Sequence, residues 1–254
     1  MKNLLTILCV GLISLFVSSI SIADHHAAPR TSALEGFFCS FNEGKDMGDL
    51  MKVAAEWDSW ADEGFSDAYQ AYVLSPVVSN RGDFPLDTVW LGVAENQEAM
   101  GAINDSWMAN GGKLQKKFDA VSTCSSHSFM DSFEVVPYKN IGGPGFVQIQ
   151  GCEMKDGASM TDLMAADKSW SKWMAEQGMP GGIYRWFTGV GDARESTTDF
   201  YNVFITESMA SRGRAHDMMM AGGFPVRSDA YDNLIQCDKP RVWVAQPVGG
   251  KKAS

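Results

Sequence analysis

Four histidines stand in the 254 residues. An imidazole is the side chain best suited to moving protons near neutral pH. His127, in CSSHS, is the first candidate for a general base or an axial metal ligand, and His216, in RAHDM, is the second. Cys124 leads into His127, whereas the matching Cys237 leads into DKPR, with no imidazole. One functional site in a chain of two similar halves would show such an asymmetry. The competing reading is a structural or solvated histidine, because no second imidazole is near either one in sequence.

Aromatic residues form the other conspicuous set. Trp57 and Trp60 lie in AEWDSW, and Trp170 and Trp173 in KSWSKW. Spacing of three places each pair on one helix face. Such pairs usually fill the space between a helix and a sheet. They also suit an aromatic-lined pocket for a flat apolar molecule or a cation held over the rings. Tyr72, Trp90, Trp186 and Tyr201 fall in strand-like stretches and are candidates to line the same space, although alternation turns only about half of such residues inward. No phosphate loop, G-x-S-x-G, H-E-x-x-H or dinucleotide fingerprint occurs.

The first residues, MKNLLTILCVGLISLFVSSISIA, read as a secretory signal peptide over 1–23, cut after Ala23. Cleavage there would expose Asp24-His25-His26. A free amine, two backbone amides and the third-position imidazole form a square-planar nitrogen set for Cu(II) or Ni(II). The pattern resembles the amino-terminal copper and nickel binding motif, with His25 and His26 as the metal candidates. A loose tail with chance histidines is the alternative.

The net charge of −10 argues against nucleic acid and against anionic membrane surfaces as partners. No later stretch is apolar enough to span a bilayer, so no stable membrane insertion is expected after cleavage. The exported chain is expected to be a monomer or a homodimer in the periplasm or outside the cell. Loss of the leader removes Cys9 and leaves Cys39, Cys124, Cys152 and Cys237, an even set in an oxidising compartment.

The elements that must position these residues are written twice. DLMKVAAEWDSW, from Asp49, recurs as DLMAADKSWSKW, from Asp162. At the same offset Cys39 meets Cys152, and Cys124 meets Cys237. Matches at a nearly fixed offset indicate tandem copies of one unit. The expected organisation is a tail over 24–35, one unit over 36–138, a linker over 139–144, a second unit over 145–248 and a tail over 249–254. In each unit a short strand precedes a helix capped by Asp46 or Ser159. Two aromatic and β-branched strands, a second helix and a last strand follow. The order β-α-β-β-α-β is the ferredoxin-like split motif.

This order, unit length and duplication resemble the dimeric α+β barrel superfamily. The resemblance implies an α+β fold in which two ferredoxin-like repeats pack within one chain as a barrel. That superfamily holds cofactorless monooxygenases, polyketide cyclases, haem-using peroxidases and proteins of no known reaction, so the fold does not choose a function. The ferredoxin-like order makes the first and last strands neighbours. It thereby favours Cys39–Cys124 and Cys152–Cys237 among the three pairings that four cysteines allow. The expected function is that of an exported protein binding a small apolar or aromatic molecule, with no cofactor. One alternative is a monooxygenase- or cyclase-like enzyme, and another is a structural or interaction module. Haem or copper would replace the cofactor-free reading if a ligand set were present.

Overall fold

The computed structural model describes residues 31–250. The leader and the pair His25 and His26 lie outside the described residues. The first half contains β1 (Thr31–Phe41), α1 (Met47–Gly64), β2 (Tyr69–Val78), β3 (Thr88–Ala94), α2 (Gln97–Asn110), α3 (Gly112–Val121) and β4 (Ser122–Val136). The second contains β5 (Gly145–Met154), α4 (Met160–Gln177), β6 (Gly182–Thr188), β7 (Phe200–Thr206), α5 (Met209–Met218), α6 (Phe224–Tyr231), β8 (Ile235–Cys237) and β9 (Arg241–Gly249). A π-helical turn over Met219–Gly223 joins α5 to α6.

Strand order is the same in each half: β4-β1-β3-β2, and β9-β5-β7-β6. The halves join where β4 pairs with β6 and β2 with β9. These two seams close the eight long strands into an antiparallel barrel, with β8 as a short appendage on β5. Among the described residues, closure leaves no long edge open to another chain.

Alternation then sorts every strand residue to one of two faces. Leu34, Leu74, Val89 and Leu91 of the first half meet Val147, Trp186, Val203 and Trp243 of the second inside the barrel. Each such side chain contributes about 1.5–3 kcal/mol on leaving water. The opposite faces carry the helices. Leu50, Val53, Ala54, Trp57 and Ala61 form the buried stripe of α1, and Leu163, Ala166, Trp170 and Met174 that of α4. The Asp46 side chain accepts from the Asp49 amide at the start of α1. Ser159 and Asp162 make a capping box at the start of α4, and Gly178 ends that helix in the left-handed conformation.

Two boundaries differ from the sequence pattern. Strand β1 begins at Thr31 rather than Gly36, because it has partners on both sides for most of its length, including Thr31 opposite Phe133. β4 begins at Ser122, so Cys124 and His127 sit within a strand rather than before one. In the second half the same stretch breaks into β8 and β9 around Asp238–Pro240, where Pro240 has no amide hydrogen to donate. Two disulfides, Cys39–Cys124 and Cys152–Cys237, tie the first strand of each half to the stretch entering its last.

Candidate functional site: two unlike cavities between helix and sheet

In the first half residues of all four strands make a small cavity with the helices. Its wall includes Phe37, Trp57, Phe65, Trp90, Trp107 and Phe118. Trp90 meets Trp57 edge to face at 4.8 Å between ring centroids and Phe118 at 5.3 Å. The cavity holds about 90 Å³, less than the roughly 150 Å³ that accommodates benzene in a dry core.

Beside this aromatic wall lies a buried carboxylate. Glu35 of β1 is 5% exposed. Its Oε1 accepts from the Tyr69 hydroxyl at 2.5 Å, and its Oε2 accepts from Asn104 Nδ2 at 3.1 Å. His127 Nε2 lies 3.0 Å from the same Oε2. Trp90 Nε1 donates to the Tyr69 oxygen at 3.2 Å. Tyr69 and Asn104 thus each donate to this carboxylate, and the His127 ring nitrogen makes a third polar contact with it. The imidazole stacks on Phe37 at 3.8 Å between centroids and is about one-third exposed, so it connects Glu35 to solvent. Burial, then the charge of Glu35, holds the Tyr69 hydroxyl protonated well above the usual tyrosine range.

The second half builds the same space differently. Glu35 and Gln148 each stand four residues before the first cysteine of their half. Across the next row, Phe37–Trp90–Val73 of the first half is replaced by Gln150–Asn202–Arg185. Arg185 is 3% exposed. It donates to Asn202 Oδ1, and its Nη2 donates to Asp167 Oδ1 at 2.6 Å. Tyr231 donates to the same Asp167 oxygen at 2.7 Å. Above this floor Arg212 Nε donates to Gln148 Oε1 at 2.9 Å. The cavity so formed measures about 420 Å³. Trp170, Ile183, Phe204 and Phe224 supply apolar wall, and Arg185, Arg212 and Arg227 supply charge.

The eight aromatic candidates therefore occupy separate places. Trp57 and Trp90 border the first cavity and Trp170 the second. Tyr72, Trp186 and Tyr201 point into the barrel. Trp60 packs on Phe65 and Trp107, and Trp173 stacks on Trp170 at 4.8 Å. His127 joins the Glu35 cluster, while His216 borders the second cavity with its ring edge-on to Phe224 at 6.0 Å. Glu35, Tyr69, Asn104, Arg185 and Arg227 were not among the sequence candidates. The exchange of Glu35 for Gln148 at matched positions is a signal that could have marked them.

Neither cavity presents a metal set. Among the described residues no group of three His, Cys, Asp or Glu side chains could hold a metal ion. A haem needs an axial donor aimed at the centre of its plane. Among the described residues the only imidazole bordering the larger cavity is His216, an exposed side chain on α5. Beside it the Tyr231 hydroxyl is committed to Asp167 and Met219 is packed in the core, and the guanidiniums and amides do not ligate iron. The residues present do not fit haem.

No protein-family model matches the chain, and no curated protein matches it. Solved structures do. An anthrone oxidase-like protein superposes with a TM-score of 0.54 at 11% identity, covering 89% of this chain and 96% of its own. A monooxygenase-like protein of Lactobacillus acidophilus NCFM gives 0.55 at 10% identity, covering 88% and 98%. A chlorite dismutase variant of Candidatus Nitrospira defluvii gives 0.53 at 7% identity, covering 87% and 93%. Identities this low speak for the fold and not for the reaction. With its strand order and closed barrel, the chain shares the α+β barrel fold of these structures.

Proposed function

We propose that the chain is an exported protein that binds a small molecule with an aromatic or apolar body, seated between the helices and the sheet of its second half. The cavity of about 420 Å³ carries this reading. It falls within the range of about 300–1,000 Å³ usual for ligand sites. By contrast, the barrel interior keeps only about 60 Å³ and the first half about 90 Å³. Apolar walls with a few convergent polar groups are the usual make-up of such sites. Export is supported by the apolar leader over 1–23 and by two disulfides. It is also compatible with the finding that no helix among the described residues is long and apolar enough to cross a membrane. Native mass spectrometry of the protein recovered from its own exported fraction tests the reading. A bound small molecule, lost on denaturation, is expected; a chain that carries nothing and takes up no aromatic probe contradicts it.

A second reading, an acid–base enzyme, draws on the Glu35 cluster. His127 would pass a proton between Glu35 and solvent, and Tyr69 would donate one at the cavity wall. Several structural neighbours are oxidase- or monooxygenase-like. The reading requires the first cavity to open, because about 90 Å³ excludes a multi-ring substrate. Oxygen uptake with an anthrone, which O2 would convert to the anthraquinone and one water, tests it. Uptake abolished by His127→Ala supports the enzyme, and no uptake by the wild-type chain removes it.

A further inference from the structure

The floor of the second cavity carries a guanidinium whose hydrogen bonds the protein itself only partly satisfies. Burying a polar row in the middle of a sheet face costs free energy unless every group finds a partner. Gln150, Asn202 and Arg185 form such a row where the first half has Phe37, Trp90 and Val73. Asp167 and Asn202 take the two terminal nitrogens of Arg185. Its Nε–H, also buried, has no acceptor.

A second guanidinium stands close by. Arg185 and Arg227 both lie against the ring of Tyr231, at 5.3 and 5.7 Å from its centroid. Burial, and then the like charge of Arg185, weaken the hold of Arg227 on its proton. Asp232 and Tyr231 act on Arg227 in the opposite sense, but among the described residues Arg227 forms no ion pair. The carboxylate bordering the cavity, Asp238, is bonded to Arg241 at 2.8 Å. Three guanidiniums thus face one cavity in a chain whose net charge is −10, and among the described residues Arg227 is the one of them with no carboxylate or amide bonded to it.

We infer that the molecule bound in this cavity is an anion: a compact aromatic acid whose carboxylate meets the planar fork of Arg227, in the field of the buried Arg185 guanidinium, with its ring against Trp170 and Phe204. The inference rests on the binding reading above and adds the charge of the ligand to it. A guanidinium offers paired N–H donors matched to a carboxylate, which a neutral hydroxyl cannot use in the same way. The acidic exterior would repel anions in general, so the site selects for those that can also bury an apolar body.

Isothermal titration of the full exported chain with 2-naphthoate and with 2-naphthalenemethanol tests this directly, since the two share a ring system and differ in charge. Naphthoate is expected to bind about tenfold or more tightly, the scale of one charge-assisted hydrogen bond. Arg227→Gln should reduce that preference several-fold, weakening naphthoate more than the alcohol. Arg227 is on α6 rather than in the Asp167 pair, so this variant should keep its circular dichroism spectrum. Equal affinities for acid and alcohol would overturn the anion inference and leave the binding reading standing, as would a preference untouched by Arg227→Gln. Failure of both probes to bind would overturn the two together.

Discussion

The Tyr69 hydroxyl reaches Glu35 Oε1 at 2.5 Å across an intervening strand, and it does so over Gly92. Glu35 of β1 and Ala71 of β2 both pair with Gly92 of β3. A Cβ at that position would lie 1.9 Å from the Tyr69 oxygen. The missing side chain is therefore what allows the hydrogen bond. Gly92→Ala should displace Tyr69 and leave the buried Glu35 short of a donor, a loss of about 1–3 kcal/mol. Urea unfolding of the variant, with an unchanged slope and a lower midpoint, is the check. An unaltered midpoint would mean that the strands shift to admit a methyl group at no cost.

The same burial predicts the alkaline limit of the fold. Tyr69 and Tyr231 both hold their protons well above the usual tyrosine range, desolvation being the leading cause in each. Below about pH 10, the ordinary tyrosine value, folded and unfolded chains are both protonated at these sites and the contribution is fully present. Above it the unfolded chain ionises first and binds fewer protons, so stability falls as pH rises. Tyrosinate absorbance should lag in the native protein and appear together with unfolding. Tyr69→Phe should flatten part of that alkaline slope. Full ionisation of all tyrosines near pH 10 without unfolding would contradict the burial.

Much of this architecture could be read from the chain alone, for identifiable reasons. Helix caps such as Asp46 and Ser159 and the periodic stripe through Leu50, Ala54 and Trp57 are local signals, and the structure keeps them. The recurring phrase with its cysteines implied one strand order in both halves, which is what the sheet shows. The polar centres were not legible. Glu35 stands in ALEGFFCS, where a single acid on a strand reads as a solvated residue, and its partners Tyr69, Asn104 and His127 come from three other elements. Arg185 in GIYRWFT was masked by its aromatic neighbours. Its burial depends on Asp167, which lies on α4 and reads there as an exposed helix carboxylate. Contacts between distant segments carry no periodic signature.

That Arg185–Asp167 pair should be costly to break from one side. Both side chains are largely buried, at 4% and 13% exposure. Asp167→Ala would strand a guanidinium and free the Tyr231 hydroxyl, and a loss of about 3–5 kcal/mol is expected. A thermal scan of the variant measures it. A drop below about 1 kcal/mol would show that water reaches Arg185 and takes over the role of the carboxylate.

Each disulfide closes a sequence separation of 85 residues. In the chain-entropy view each restricts the unfolded chain by up to about 4–5 kcal/mol. Reduction should lower the unfolding midpoint markedly. Peptide mapping without reductant should recover Cys39 with Cys124 and Cys152 with Cys237, and no cross-linked peptides between halves. Peptides joining Cys39 to Cys152 would contradict the pairing.

The most direct measurement of where the ligand sits is a crystal structure of the chain grown with 2-naphthoate. The account predicts the ring against Trp170 and Phe204 beneath α5 and α6, with its carboxylate toward Arg185 and Arg227. A ring found inside the barrel among Trp186 and Trp243, or against Trp57 and Trp90 in the first half, would contradict it.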